Sequence, residues 1–241
     1  MQQVYLDKLS HSVRTFVEAV EEAAGVPIEV EESAELNDGG PAGQGNLKVD
    51  IGAQYVRLYV PSNGYFPDGG VRHEVLHVHR LHIDGVPRLA LAEDVAWAPS
   101  LEQGLVRVDN ALEHLAIVPV ELQHHPERVA HWEAVMTRMW QVDIPEASAL
   151  DRRVAAGLHW SFLRHVIPGS PAVDTAIAMM NNFGLRAEAE AFSALLLPLV
   201  GSKTELVRTF FDWFPEVPRD QASLAYLNVI TGTTYQSIPD K

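Results

Sequence analysis

The chain has 241 residues, of which 47% are hydrophobic and 21% are charged, so it has the composition of a globular protein with enough apolar material for a core. Its 18 basic and 32 acidic side chains give a formal net charge of −14, which disfavours nonspecific binding to nucleic acid or anionic lipid. Because the sequence contains no cysteine, it excludes disulfides, thiolate nucleophiles and cysteine-ligated zinc sites.

The first 60 residues show helical periodicity and then strand periodicity. Apolar residues recur at helical spacing over 6–24, and the pattern stops at Gly25. The period then changes to two, which predicts strands starting at Ile28, at residues 47–51 and at residues 55–60. We therefore expect a helix followed by a three-stranded sheet.

Two segments rich in glycine, proline and asparagine separate these elements from each other and from the next helix. Residues 37–46, NDGGPAGQGN, predict a flexible connection between the first two strands. Residues 61–70 turn the chain, and the pattern then predicts a helix from Val71 to Ile83 that closes at Asp84-Gly85. The motif HEVLH, residues 73–77, lies on this helix.

Beyond residue 101 the pattern is helical almost throughout. Helices are predicted at 102–118, 126–141, 148–167, 171–182, 185–197 and 202–213. The fold class predicted is α+β: a small N-terminal unit over residues 1–145, with the opening helix, the three-stranded sheet and the motif helix, followed by a mainly α-helical domain or lobe over residues 146–241.

The spacing within HEVLH suits a divalent metal. Residues four apart share a helix face, so His73 and His77 can direct two imidazole nitrogens at one cation. Glu74 would point to the side where a bound water sits and could act as the general base that takes its proton. His79 and His82 fall on other faces of the helix and would point away from the metal.

A helix that carries HEVLH and follows a β-sheet resembles the zincin metallopeptidases, whose motif is H-E-x-x-H. In that superfamily the two histidines bind zinc and the glutamate is the base, so the resemblance implies Zn²⁺ at His73 and His77 with Glu74 as the catalytic residue. Residues 85–95 contain no histidine at the interval of the metzincin pattern, so the chain is similar to the gluzincins, whose third ligand lies on a second helix.

The segment VDNALEHLAIVP, residues 108–119, is the candidate for this second helix. Glu113 is the first candidate for the third ligand because it matches the gluzincin preference for glutamate. His114 is the alternative, since imidazole is an equally good zinc ligand.

The same segment is similar to the A-N-x-F-A-A-x-L-L-M-P stretch of the small ImmA/IrrE-type zincins of mobile elements. Asn110 and Pro119 stand in matching register with that stretch. Val108, however, occupies the position of the ligand glutamate in that pattern, so only the location of the helix carries over.

The group that would stabilise the transition state is not identified by the sequence. Histidine or tyrosine could donate a hydrogen bond to the developing oxyanion. The candidates are His124, His125, His131, Tyr65 and Tyr226.

The function predicted is a zinc-dependent metallopeptidase that hydrolyses a peptide bond in an intracellular protein. The expected partner is thus a protein or peptide substrate, with no nucleic acid and no membrane. The chain shows neither a signal-peptide pattern nor a long apolar run, so we expect a cytoplasmic location. The alternatives are a non-catalytic, metal-stabilised regulatory or protein-binding module, and a metal-free helical protein in which the motif is accidental.

Overall fold

The structure is a computed structural model, and it is described here for residues 1–38 and 45–240. Most of the predicted connection 37–46 therefore lies outside the described residues. The chain divides into two units. The first comprises Met1–Pro87, Gln123–His125 and Ala225–Thr234, and the second comprises Arg88–Leu122, Pro126–Leu224 and the residues from Tyr235 onward.

The first unit begins with the predicted amphipathic helix. A short helix α1, Gln3–Leu6, precedes the main helix α2, His11–Ala24. Val13, Val17 and Val20 are buried along one face of α2, which is the spacing that an amphipathic helix requires. The helix ends at Gly25, whose φ of 69° lies in the left-handed region that glycine adopts without steric cost.

Three strands form the predicted sheet. They are β1, Ile28–Ser33, β2, Lys48–Ile51, and β3, Val56–Pro61. The order in the sheet is β1-β3-β2, with β3 parallel to β1 and antiparallel to β2. All three predicted strands are confirmed.

The hydrophobic core of the first unit contains residues from α2, from the sheet and from the helix α3, Asp68–Val78. Full burial of one such aliphatic side chain contributes about 1.5–3 kcal/mol, so the apolar faces hold these elements together. The members with no more than 1% exposure are Val13, Val17, Ile28, Val56, Leu58, Val71, Val75 and Val78. Three of them lie on α3, so the motif helix is anchored in this core.

The second unit is mainly helical, as predicted. Its helices are α4, Pro99–His124, α5, Val129–Arg138, α6, Ile144–Glu146, α7, Ala149–Val166, α8, Ala172–Phe183, α9, Arg186–Leu196, and α10, Lys203–Trp213. Each predicted helix has a counterpart among them. The helix predicted to end at residue 118 is longer, because α4 continues through Pro119 to His124.

A second three-stranded sheet was not predicted. Its strands are β4, Arg88–Leu91, β5, Ala222–Asn228, and β6, Gly232–Ser237, in the order β4-β5-β6. The first four residues of β5 are all buried, so its sequence lacks the alternation by which strands are recognised. The sequence feature that could have indicated a turn and a strand here is Gly232, followed by threonine and tyrosine residues that favour strands. In the structure Gly232 has a φ of 85°.

The predicted α+β fold class is confirmed by the two sheets and the helices. The predicted domain boundary between residues 145 and 146 falls within α6, inside the second unit, and this division stays a prediction. Among the described residues, no helix combines the length and the apolar character of a membrane-spanning segment.

Candidate metal centre

The helix α3 carries all three residues of the HEVLH motif to which chemistry was assigned. His73 is buried, whereas Glu74 and His77 are half-buried. The imidazole rings of His73 and His77 meet edge to face, with their centroids 5.1 Å apart. The two histidines therefore lie on the same face of the helix, as the four-residue spacing predicts.

A π-helical turn, His79–Ile83, directly follows α3. In this turn the Asp84 backbone N–H donates to the carbonyl of His79 at 3.1 Å, which is an i to i+5 hydrogen bond. The imidazole of His79 lies 3.3 Å from the Asp84 carboxylate, and Nε2 of His82 lies 3.1 Å from the Gly52 carbonyl oxygen. Burial lowers the pKa of His82 and outweighs the Gly52 carbonyl, which raises it. The neutral form of the ring is therefore favoured.

Glu113 on α4 is engaged in a buried ion cluster. Its Oε2 accepts a hydrogen bond from Nζ of Lys203 at 3.0 Å. The same ammonium group lies 2.8 Å from Oδ1 of Asp109 and donates to the Asp109 carbonyl at 3.0 Å. Oδ1 of Asp109 also accepts from the backbone N–H of Leu89 at 2.8 Å. The carboxylate charge of Glu113 is therefore compensated by a neighbouring cation.

The charge state of Lys203 follows from two opposing effects. Burial lowers the pKa of its ammonium group, and the carboxylates of Asp109 and Glu113 raise it. The carboxylates outweigh burial, so the pKa of Lys203 lies above its ordinary value. Lys203 is thus a charged group at neutral pH, although only 2% of its side chain is exposed.

His114, the next residue on α4, is half-buried and joins the motif histidines in one group. One ring nitrogen from each of His73, His77 and His114 lies within 4.8 Å of the other two, so this three-histidine group could hold a metal ion. Glu113 is not a member of the group. Of the two sequence candidates for a third ligand, the structure therefore brings His114 to the motif histidines and places Glu113 against Lys203.

The chemistry of the donor set fits a divalent transition metal. Three imidazoles can occupy three of four tetrahedral positions around Zn²⁺ and leave the fourth for water or substrate. With Zn–N bonds of about 2.0–2.1 Å, the nitrogens of such a site are about 3.4 Å apart. The observed separations, all within 4.8 Å, exceed this spacing by no more than about 1.4 Å.

The residues considered as oxyanion donors differ in their exposure to solvent. His124 is exposed at the end of α4, His125 is buried, and Tyr65 and Tyr226 are half-buried. The ring of His131 packs against a tryptophan, with the centroids 5.4 Å apart. None of the five belongs to the three-histidine group, so the choice among them stays open.

Sequence reasoning missed Trp132, which packs on His114, and Glu121, which binds Trp132. The indole ring of Trp132 on α5 meets the imidazole of His114 at a centroid distance of 5.0 Å and an angle of 70°. Its Nε1–H donates to Oε2 of Glu121, a carboxylate with no exposed surface, at 3.2 Å. The available signal was that Glu121 lies seven residues, or two helical turns, after His114 and so shares its face of α4.

Comparison with known proteins adds no relative. No family model matches the chain, and no curated protein or solved structure is significantly similar to it. The resemblance to zincins therefore rests on HEVLH and on its place in a helix after a sheet, and it stays a prediction.

Proposed function

We propose that this protein is a zinc-dependent metallopeptidase in which His73, His77 and His114 hold the metal and Glu74 is the general base. The observation that supports this function best is the convergence of three imidazole nitrogens within 4.8 Å on residues of an H-E-x-x-H helix and of α4. An accidental motif would not require a third histidine beside its first two. Zn²⁺ is the proposed ion because it favours nitrogen ligands and leaves a position open at catalytic sites.

The third ligand in this proposal is His114 in place of Glu113. Glu113 would have to give up its hydrogen bond to Lys203 and leave that buried ammonium with Asp109 as its carboxylate partner. Leaving a buried charge less well compensated is costly. His114 already belongs to the three-histidine group, and its location on the second helix is the one that the gluzincin resemblance implies.

Each residue of the proposed site would have a defined role. A bound Zn²⁺ supplies Lewis-acid polarisation of the scissile carbonyl and makes a water molecule acidic near neutral pH. His73, His77 and His114 present neutral nitrogens and leave the net charge of the ion uncompensated, which favours this polarisation. Glu74 accepts the proton of the attacking water and passes it to the amine that leaves. Glu74 is half-buried, so part of the residue remains exposed to solvent.

A protein or peptide is the proposed substrate, since the zincin resemblance implies peptide-bond hydrolysis. The competing function is a metal-stabilised regulatory or protein-binding module that uses the same three ligands without catalysis. Both functions require the metal, and they differ only in the need for the Glu74 carboxylate. A pair of measurements therefore distinguishes them.

The first measurement is the metal content of protein purified without an affinity tag. We expect about one zinc ion per chain, retention of that ion in Glu113→Gln and its loss in His114→Ala. Circular dichroism of each variant provides the control for folding. Absence of near-stoichiometric metal from the wild-type protein would exclude both functions, and retention in His114→Ala with loss in Glu113→Gln would assign the third ligand to Glu113.

The second measurement is cleavage of denatured casein and of a quenched-fluorescence peptide library by wild-type protein and by Glu74→Gln. The substitution keeps the size of the side chain and removes the base, so we expect unchanged zinc content and a rate lower by about 10²–10⁴-fold. Equal rates for the two proteins would exclude the proposed mechanism. A chain that binds zinc and has no Glu74-dependent cleavage would be the regulatory module.

A further inference from the structure

A buried carboxylate fixes the orientation of Trp132. The side chain of Glu121 has no exposed surface, and its Oε1 accepts from Nε of Arg128 at 2.6 Å while its Oε2 accepts from the indole N–H of Trp132 at 3.2 Å. A buried carboxylate is tolerated only when its oxygens are compensated, so both donors are required by the fold. If the indole turned over, its hydrogen bond to Glu121 would be lost.

Trp132 is also held by its ring contacts. It is 4% exposed, and the ring of Phe162 packs on it at a centroid distance of 5.3 Å and an angle of 45°. The indole meets the His114 imidazole at 5.0 Å and 70°, which is the edge-to-face geometry that aromatic pairs prefer. The orientation of the His114 ring is therefore coupled to a side chain that is itself locked on α5.

We infer that Trp132, held by the Glu121–Arg128 ion pair, is a positioning residue that orients His114 as a metal ligand. The inference rests on the proposed function, because it needs His114 to bind the ion. A ligand whose ring is already oriented loses less rotamer freedom on binding, and partners that orient ligands are commonly worth about 10–100-fold in metal affinity. Trp132 touches the ligand and not the reacting atoms, so its effect must appear in metal binding as well as in turnover.

The test compares three variants of the full chain with the wild-type protein. Trp132→Leu removes the aromatic ring. Trp132→Phe keeps a ring beside His114 but removes the indole N–H that donates a hydrogen bond to Glu121. Phe192→Leu is the matched control, since Phe192 is a fully buried ring in a different cluster, packed on Trp213 and Phe214. Each metal-free protein is titrated with Zn²⁺ against a chromogenic chelator and with Co²⁺, whose visible d–d absorption reports the ligand geometry.

We expect Trp132→Leu to raise the Kd for Zn²⁺ by about 10–100-fold and to change the Co²⁺ spectrum, with Trp132→Phe between it and the wild type. Phe192→Leu should lose comparable stability and keep its Kd within about twofold of the wild type. If Trp132→Leu does not fold, the Kd and Co²⁺ spectrum of Trp132→Phe decide the question, and wild-type values for both overturn the inference.

The two possible failures are distinguishable. A wild-type chain that takes up neither Zn²⁺ nor Co²⁺ refutes the proposed metal site and, with it, the role of Trp132. A wild-type chain that binds metal through His114, with the Trp132 variants binding as tightly as Phe192→Leu, refutes only the positioning role.

Discussion

Removal of the ammonium group of Lys203 tests how the second unit holds α4. The side chain of Lys203 is 2% exposed and lies between the carboxylates of Asp109 at 2.8 Å and Glu113 at 3.0 Å. The side chain of Glu113 is itself only 5% exposed. In Lys203→Met an apolar chain of similar length replaces the ammonium group, so the cation is removed with little change in volume.

The expected cost depends on the charge that is left behind. Breaking a buried ion pair from one side costs about 3–5 kcal/mol, because the remaining ion loses the opposite charge that compensated it. In the variant, Asp109 would keep its hydrogen bond from the Leu89 N–H, and its side chain is 21% exposed. Most of the loss in stability should therefore arise at the more deeply buried Glu113. We therefore expect Lys203→Met to lower the free energy of unfolding by about 3–5 kcal/mol. The double variant Lys203→Met/Glu113→Gln should recover more than half of that loss, since no buried ion remains at this position.

Urea unfolding followed by circular dichroism measures both values. Because the pKa of Lys203 is raised in the folded chain, its contribution is present at neutral pH and disappears only as the pH rises through that raised value. Measurements near pH 7 are therefore appropriate. A loss below about 1 kcal/mol in Lys203→Met, or a double variant no more stable than the single one, would refute the account of this cluster.

Two further predictions concern the helix α7. Burial lowers the pKa of His159 from 6.5 to about 4, so the free energy of unfolding should fall by up to about 3 kcal/mol as the pH drops between these values. Urea unfolding at several pH values measures this loss. It should be suppressed in His159→Gln and retained in His165→Gln, where the replaced histidine is exposed. A Cβ added to Gly157 would lie 2.8 Å from the ring of Phe192, so thermal unfolding should show Gly157→Ala destabilised, by up to about 2 kcal/mol, even though alanine favours helices. Gly104→Ala, in open space on α4, should instead gain about 0.5–1 kcal/mol.

Elements with strong local periodicity were predicted well. In α2 the buried Val13, Val17 and Val20 follow the helical repeat, and in β1 the buried Ile28 and Val30 alternate with exposed glutamates. Such patterns arise when one side of an element faces a core and the other faces solvent, so they can be read from a short window of sequence.

The second sheet lacked such a pattern. Strand β5 has four consecutive buried residues, and β6 is mostly exposed, so neither shows the alternation of a strand buried on one side. Strand β4 has only four residues. Their strand conformation depends on pairing with segments distant in the sequence, since β4 and β5 are neighbours in the sheet although more than a hundred residues separate them. Information of this kind is not present in a local window.

The choice between Glu113 and His114 shows the same limit at the candidate site. Adjacent residues on an α-helix project about 100° apart, so locating the second helix at 108–119 narrows the ligand to a few positions and cannot select one of them. What separates the two is their partners: Lys203, 90 residues away in the sequence, takes up the carboxylate of Glu113, whereas Trp132 packs on the ring of His114. Because Glu113 is engaged by Lys203, the proposed metal site takes His114 as its ligand on α4, beside His73 and His77. The contact that separates the two candidates is therefore made by a lysine that is itself outside the proposed ligand set.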